Sequence, residues 1–202
     1  MHKRNGFLAV AALCVAFVAA SAQADGKAKA MVCTACHGPD GNSSNPIWPN
    51  LAAQNPGYIV TQLKAFKAGT RQNPSMSPMA APLSEMDMVE LADYFAAQTL
   101  NVKPLAADQA AAAAAGQKLY RGGDAERGIP ACMACHGPDG GGNPASGYPA
   151  LSGQQFEYAV AQLQNYHNGT RQTDPQAMMR TIAVRLSEAD IKNLARYVSA
   201  LH

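Results

Sequence analysis

The pattern of apolar and polar positions along the chain predicts helices and no sheet. Apolar residues recur at the three- and four-residue spacing of an amphipathic helix in residues 58–68, 84–95, 156–168 and 187–198. No stretch shows the sustained alternation of a half-buried strand. The expected fold class is therefore all-α.

Residues that begin and end helices support these assignments. Gly69 and Gly169 follow the first helix of each pair, and glycine commonly ends a helix. Ser84 and Ser187 open the second helix of each pair, and each is followed three residues later by Asp. Such a serine caps free backbone amides, and the carboxylate favours the first turn.

The same plan occurs twice because the chain repeats itself. Residues 33–41, 48–54 and 83–92 recur at 132–140, 148–154 and 186–195. Length changes fall in loops, one residue near 140–143 and three residues between 172 and 179. In each half a short N-terminal helix leads into the cysteine motif; in the second half it is Ala-rich and covers 106–121, and Pro104 in the linker breaks any continuous helix. We expect a duplicated domain, with the halves at 25–100 and 101–202, and irregular methionine-bearing loops.

The N-terminal 24 residues are typical of a secretory signal peptide. A basic start at residues 2–4 precedes an apolar run over 7–20, and residues 22–24 end in an A-x-A pattern. The run is short for a membrane span, so a retained anchor is the less favoured alternative. Cys14 lies inside this run, but Leu13 before it is a poor residue for a lipidation site. We therefore interpret Cys14 as an ordinary signal-peptide residue. We expect cleavage before Asp25 and a periplasmic protein, with peripheral membrane association left open.

Composition and charge then narrow the classes of function. Aromatic residues make up only 6% of the chain, while it contains 17 Gly and 13 Pro. Loss of Lys3 and Arg4 with the signal lowers the Lys and Arg total from 16 to 14, equal to the 14 Asp and Glu. No basic patch indicates nucleic-acid binding. Small, loop-rich helical domains fit this composition, and something other than aromatic side chains is expected to fill their centres.

Four cysteines remain after cleavage, in two Cys-x-x-Cys-His motifs. The motif residues are Cys33, Cys36 and His37 in the first half, and Cys132, Cys135 and His136 in the second. Cys-x-x-Cys-His is the c-type haem attachment motif. Residues i and i+3 share one face of a helical turn, so two thiols can add to the two haem vinyl groups. The following histidine becomes an axial iron ligand. We predict two covalently bound haem c groups.

Other uses of the thiols fit the pattern less well. An exported chain with four cysteines can form two disulfides, and four thiolates can bind zinc. Neither explains a histidine directly after both pairs. A thioredoxin-like redox motif would need a βαβ context that the helical pattern lacks.

The repeat also selects a candidate for the sixth iron ligand in each half. A Leu-Ser pair, at 83–84 and again at 186–187, leads into the last helix of each half. Met76 and Met179 each lie seven residues before the leucine of this pair. A methionine thioether there gives an electron carrier with a raised potential. Met79 and Met178 remain the alternatives, because loop alignment is uncertain, while Met86 and Met88 lie on the last helix, where core packing is the commoner role.

Several polar and aromatic residues that recur in the repeat have two interpretations each. Arg71 and Arg171 either hydrogen-bond haem propionates or are exposed to solvent. Trp48 and Tyr148 either donate to a propionate or simply pack. His167 and His202 have no counterparts, and we expect them at the surface.

At these residues the chain resembles the cytochrome c4 family. The resemblance covers essentially all of the mature sequence and rests on both Cys-x-x-Cys-His-Gly-Pro-Asp-Gly motifs, residues 120–123, the paired Gln-Leu at 62–63 and 162–163, and the segments ending at Ser84 and Ser187. It implies two tandem class I cytochrome c domains related by a pseudo-twofold axis, with His37/Met76 and His136/Met179 ligation. The shorter ligand loop of the first half departs from the family's pattern.

The family's role implies electron transfer from a membrane quinol-oxidising cytochrome complex towards a terminal oxidase, without catalysis by the carrier itself. Two alternatives come from other classes. A dihaem peroxidase needs one iron with an open coordination position, and matching methionines in both halves argue against it. A fixed haem subunit of a respiratory complex would copurify with its enzyme in constant ratio.

Overall fold

The computed structural model describes residues 26–202; the predicted signal peptide and Cys14 lie outside these residues. In the first half, residues 26–30 are helical and precede four labelled helices. These are α1 (Thr34–His37), α2 (Pro56–Lys67), α3 (Met76–Ala80) and α4 (Glu85–Ala96). The second half repeats this order.

The helices of the second half are α5 (Ala110–Gly122), α6 (Met133–His136), α7 (Phe156–His167), α8 (Met178–Ala183) and α9 (Glu188–Ala200). Short 3₁₀ turns cover Ala107–Gln109, Pro144–Ser146 and Pro175–Ala177. Within residues 26–202 there is no β-strand, and only two isolated bridges occur. The all-α prediction is confirmed.

The predicted helix ends are found in the structure. Ser84 and Ser187 cap α4 and α9 with complete capping boxes, in which the serine hydroxyl accepts from the backbone N–H three residues on and the Asp carboxylate accepts from the serine N–H. Gly69 and Gly169, just after α2 and α7, adopt positive φ. His167 and His202 are exposed, as expected.

The methionine segments differ from the prediction. They are not irregular, because Met76 begins α3 and Met179 is the second residue of α8. The first segment contains Pro74 and Pro78, and proline generally disfavours helix. However, Pro78 occupies the first turn of α3, where a backbone N–H would have no partner inside the helix, so proline is tolerated there.

Each half has its own hydrophobic core. The first core is built on residues from the N-terminal helix, α2 and α4, and the second on α5 and α9 with residues from the connecting loops. Their buried members are Ala30, Ile59, Leu91, Ala92 and Phe95 in the first, and Leu119, Tyr120, Ile129, Leu186, Ile191, Leu194, Tyr197, Val198 and Leu201 in the second. One cysteine of each motif, Cys33 or Cys132, packs against its core. The cores therefore border the motifs.

The helix before each motif crosses the last helix of its half at a glycine. A Cβ on Gly116 of α5 would lie 2.0 Å from the carbonyl oxygen of Asn193 in α9, and one on Gly26 would lie 2.4 Å from that of Glu90 in α4. Real Cβ atoms do not come this close to backbone oxygen, so only glycine fits. These crossings fix where each motif begins.

Gly116→Val is expected to lower the free energy of unfolding by about 3 kcal/mol, because the new side chain forces α5 and α9 apart. Gly122→Val is the matched control, since a Cβ on this α5 residue meets nothing within 4 Å. Denaturant titration followed by helical circular dichroism measures both. An equal loss in the two variants would show that helix propensity, and not the crossing, sets the effect.

The two domains meet through reciprocal hydrogen bonds between equivalent positions. The backbone N–H of Asn50 donates to Gln154 Oε1, and that of Ala150 donates to Gln54 Oε1, both at 2.8 Å. In return, Gln154 Nε2 donates to the Asn50 carbonyl and Gln54 Nε2 to the Ala150 carbonyl, both at 3.0 Å. Reciprocal contacts are what a twofold relation requires. The predicted pseudo-twofold pair of domains is confirmed.

In the part of the chain that the structure covers, no helix combines the length and the apolar character needed to cross a bilayer.

Candidate functional site

Each Cys-x-x-Cys-His motif forms one short helical turn. His37 N–H donates to the Cys33 carbonyl at 2.9 Å, and the second motif repeats this bond between His136 and Cys132 at 2.9 Å. The two cysteines of a pair are three residues apart on this turn, so they lie on one face. The spacing therefore presents two thiols and one imidazole from a single rigid turn.

The disulfide and zinc alternatives find no support in this arrangement. All four motif cysteines are free thiols. Among residues 26–202, no three His, Cys, Asp or Glu side chains converge as a metal site. Burial raises the pKa of the Cys33 thiol and raises that of Cys132 to about 11. A raised pKa lowers the fraction of thiolate, which is the form that exchanges with disulfides.

Both motif histidines are buried and held in one tautomer. Nδ1 of His37 lies 2.9 Å from the Pro49 carbonyl oxygen, and Nδ1 of His136 lies 3.0 Å from that of Pro149. A carbonyl only accepts, so Nδ1 carries the proton and Nε2 is left with a free lone pair. Burial lowers the pKa of both imidazoles, although the bond to the proline carbonyl opposes it. Each ring is thus a neutral, oriented donor suited to an iron.

The methionines divide into surface, core and half-buried positions. Met88 is a core residue, as expected for the last helix, whereas Met86 on the same helix is 64% exposed. Met76 is half-buried, while its alternative Met79 is 41% exposed. Met178 and Met179 are both half-buried. Exposure therefore favours Met76 in the first domain and does not separate the two candidates in the second.

The largest difference from the sequence-based expectations concerns the repeated arginines. Arg71 and Arg171 are both buried, so the solvent-exposed interpretation is wrong. Arg71 reaches into the other domain, where its Nη2 donates to Tyr158 Oη at 3.0 Å. Arg171 Nη2 donates to Tyr58 Oη at 2.8 Å. The two guanidinium groups therefore lie at the domain interface, and each donates to the equivalent tyrosine of the other domain.

Two glutamines complete this interface cluster, which we define as Arg71, Arg171, Tyr58, Tyr158, Gln62 and Gln162. Each glutamine Oε1 accepts from both guanidinium groups, at 2.8 to 2.9 Å. The tyrosines and glutamines recur in the repeat, but recurrence alone does not assign them a role. Their partners lie about one domain length away along the chain, so only the packing of the domains shows the cluster.

The interface cluster is strongly positive. In residues 26–202, no ion pair joins Arg71 or Arg171 to a carboxylate. Burial alone would raise the pKa of the Tyr158 phenol, but the two adjacent guanidinium groups outweigh it and lower the pKa. Two buried like charges are unfavourable without a counter-charge. The donor set therefore fits carboxylates supplied from outside the polypeptide, as haem propionates would be.

The repeated aromatics flank the motifs. Trp48 and Tyr148 are both half-buried, and each directly precedes the proline whose carbonyl binds the motif histidine. The Tyr148 ring centroid lies 6.2 Å from that of His136. The Tyr148 backbone carbonyl accepts from Asn55 of the other domain at 2.6 Å. This loop therefore links the second motif to the interface.

Comparison with known proteins gives the family. The Cytochrome c family model matches residues 23–98 and again residues 113–202. Cytochrome c4 of Thiocapsa roseopersicina is 47% identical over 178 residues, covering 87% of this chain and 91% of that protein. The thiosulfate dehydrogenase electron acceptor of Thiomonas intermedia (strain K12) is 40% identical over 196 residues, covering 96% of this chain and 89% of that protein.

A solved structure gives the same result. The crystal structure of reduced recombinant cytochrome c4 from Pseudomonas stutzeri matches with a TM-score of 0.84 at 40% identity, covering 88% of this chain and 97% of that one. The match therefore includes both domains and their arrangement. With two attachment motifs, two oriented histidines and these relatives, the chain belongs to the cytochrome c family, and within it to the cytochromes c4.

Proposed function

We propose that the protein is a periplasmic dihaem carrier that passes single electrons from a membrane quinol-oxidising cytochrome complex towards a terminal oxidase. One haem c is attached at Cys33 and Cys36, and the other at Cys132 and Cys135. The axial ligands are His37 with Met76 and His136 with Met179. The domains comprise residues 25–100 and 101–202, after removal of residues 1–24. The protein itself catalyses no reaction.

The observation that carries this proposal is the duplicated motif geometry. In both halves a buried imidazole is fixed through Nδ1 and offers Nε2 beside two free thiols. Each domain has a methionine, half-buried, at the same position relative to its last helix. Two closed His/Met sites suit electron transfer, because an enzyme would need an open coordination position.

The chain's own residues prepare these sites in four ways. When bound, the haem iron supplies a one-electron redox centre. The cysteines anchor the group on one helical turn, and the proline carbonyls fix the ligand histidines. The interface cluster places positive charge between the domains, which favours the reduced state of any redox group nearby. The reciprocal bonds between Asn50 and Gln154 hold the two domains in one arrangement for transfer between them.

A second electron donor is suggested by one relative. The Thiomonas intermedia protein is an electron acceptor of thiosulfate dehydrogenase, and the likeness extends over 96% of this chain. An enzyme that oxidises sulfur compounds is therefore the alternative donor. The two donors are compared by measuring the rate at which the purified protein is reduced. One reaction uses membranes supplied with quinol, and the other uses thiosulfate with a thiosulfate dehydrogenase. Faster reduction in the thiosulfate reaction would replace the quinol-oxidising complex in the proposal.

Met76→Ala and Met179→Ala are each expected to remove about half of the iron–thioether charge-transfer absorbance at the red end of the ferric spectrum. Each change deletes one of two thioether ligands, and the potential of that haem falls because methionine ligation raises it. Met79→Ala and Met178→Ala are the matched controls and should leave the band unchanged. If a control variant lost the band instead, the methionine replaced in that variant would be the iron ligand. A high-spin haem in the unaltered protein would favour the peroxidase-type alternative.

A further inference from the structure

The ligand loop of the second domain contains a buried ion pair that the first domain lacks. The Asp174 side chain is only 2% exposed, and its Oδ1 accepts from Arg180 Nε at 2.8 Å. Its other oxygen accepts from the backbone N–H of Arg180 at 2.9 Å. One carboxylate thus holds both the side chain and the backbone of the residue directly after Met179.

The backbone inside this closed loop is strained. Gln176 and Ala177 both adopt left-handed conformations, with φ of 54° and 57°. Residues other than glycine pay roughly 1 kcal/mol or more each for this conformation, and it persists only when its surroundings hold it. Ala177 is also the residue before α8, whose second residue is Met179. The ion pair closes the loop across these strained residues and so sets where α8 begins.

The first domain holds its methionine differently. Asn73 Oδ1 accepts from the backbone N–H groups of Ser75 and Met76, both at 2.9 Å, and Asn73 is exposed. Residues 72–83 contain no charged side chain. The three-residue insertion between 172 and 179 brings Asp174, and Arg180 stands where the first half has Ser77. The ion pair is therefore specific to the second ligand loop.

We propose that Asp174, through Arg180, is a positioning residue that keeps Met179 in place as an iron ligand in the second domain. This inference rests on the His136/Met179 ligation proposed above. A charged hydrogen bond buried this far contributes more than an exposed one, since water cannot replace it. Without the carboxylate, the strained turn can relax, the start of α8 shifts, and an external ligand competes more easily with the thioether.

The test uses imidazole to displace the methionine in the dihaem holoprotein. In a Met76→Ala background, the remaining iron–thioether band reports the second domain alone. Adding Asp174→Ala is expected to lower the imidazole concentration at half-loss of this band by about tenfold, the effect of losing roughly 1.4 kcal/mol. Arg180→Ala removes the ion pair but keeps the bond from the backbone N–H of residue 180 to Asp174. It should shift the midpoint in the same direction, and it serves if Asp174→Ala does not fold.

Glu188→Ala is the matched control, because it removes one negative charge from an exposed position in the same domain. Its midpoint should equal that of the background protein. Unchanged midpoints in both Asp174→Ala and Arg180→Ala, or an equal shift in Glu188→Ala, would overturn the positioning role. Absence of any remaining band in the Met76→Ala background would instead show that the proposed Met179 ligation fails.

Discussion

Replacing Cys132 and Cys135 with serine is expected to yield a protein that carries one haem, with an unfolded second domain. A domain of about 90 residues buries a modest fraction of its surface, and this one has few aromatic side chains to build a core. Cys132 packs directly against the second hydrophobic core. Loss of the haem proposed at this motif would therefore remove apolar surface beside the core that α5, α7 and α9 share.

Mass spectrometry of the intact protein counts the haems, and circular dichroism measures the helix that is lost. The same substitutions at Cys33 and Cys36 are the matched variant and should unfold the first domain instead. Serine keeps the size of the side chain but cannot form a thioether. If the serine variant kept its full helical signal, the second domain would fold without covalent attachment, and the haem would not be its structural centre.

Arg71→Met is expected to lower the free energy of unfolding of the holoprotein by about 3 kcal/mol, because it removes one member of a buried, charged hydrogen-bond network. Tyr158 loses its donor from the other domain, and both glutamine oxygens lose one of their two donors. The size and sign of the effect depend on a counter-charge. With haem propionates present, the guanidinium is paired. Without them, removing one of two like charges would relieve repulsion.

Chemical denaturation of the holoprotein measures this effect, and Arg127→Met is the control. Arg127 forms ion pairs with Asp124 and Asp190 at an exposed position, where such pairs contribute little, so its loss should be much smaller. A double-mutant cycle with Tyr158→Phe isolates the bond between the domains. An Arg71→Met protein as stable as the unaltered one would argue against propionates as partners of the interface cluster.

Much of the fold followed from local patterns. Helical periodicity, the serine caps and Gly69 and Gly169 depend on neighbours within a few residues, so the sequence alone located α2, α4, α7 and α9 closely. The methionine segments were harder. Pro74 and Pro78 argue against helix in general, but Pro74 precedes α3 and Pro78 lies in its first turn, and both positions are compatible with a helix that starts at Met76.

The motif cysteines and histidines are also predicted from the sequence as one unit, because covalent haem attachment needs a fixed spacing on a single turn. The roles of Arg71, Arg171 and Asp174 were not. A surface arginine and a buried one look alike in sequence, since charge and length are the same. Burial is decided by what the other domain places around the side chain.

The sequence by itself determined that this protein has two copies of one helical unit, each with two thiols and a histidine on one turn. These features depend on short-range spacing and on internal repetition, and both can be recognised in the sequence without knowledge of how the chain packs. Tertiary structure alone decided that the two arginines meet across the domain interface and that Asp174 closes the second ligand loop over two strained residues. The arginine contacts depend on how the two domains pack, whereas the Asp174 contact spans only six residues and depends on the left-handed turn at Gln176 and Ala177. In both places burial makes each charge costly unless it is paired.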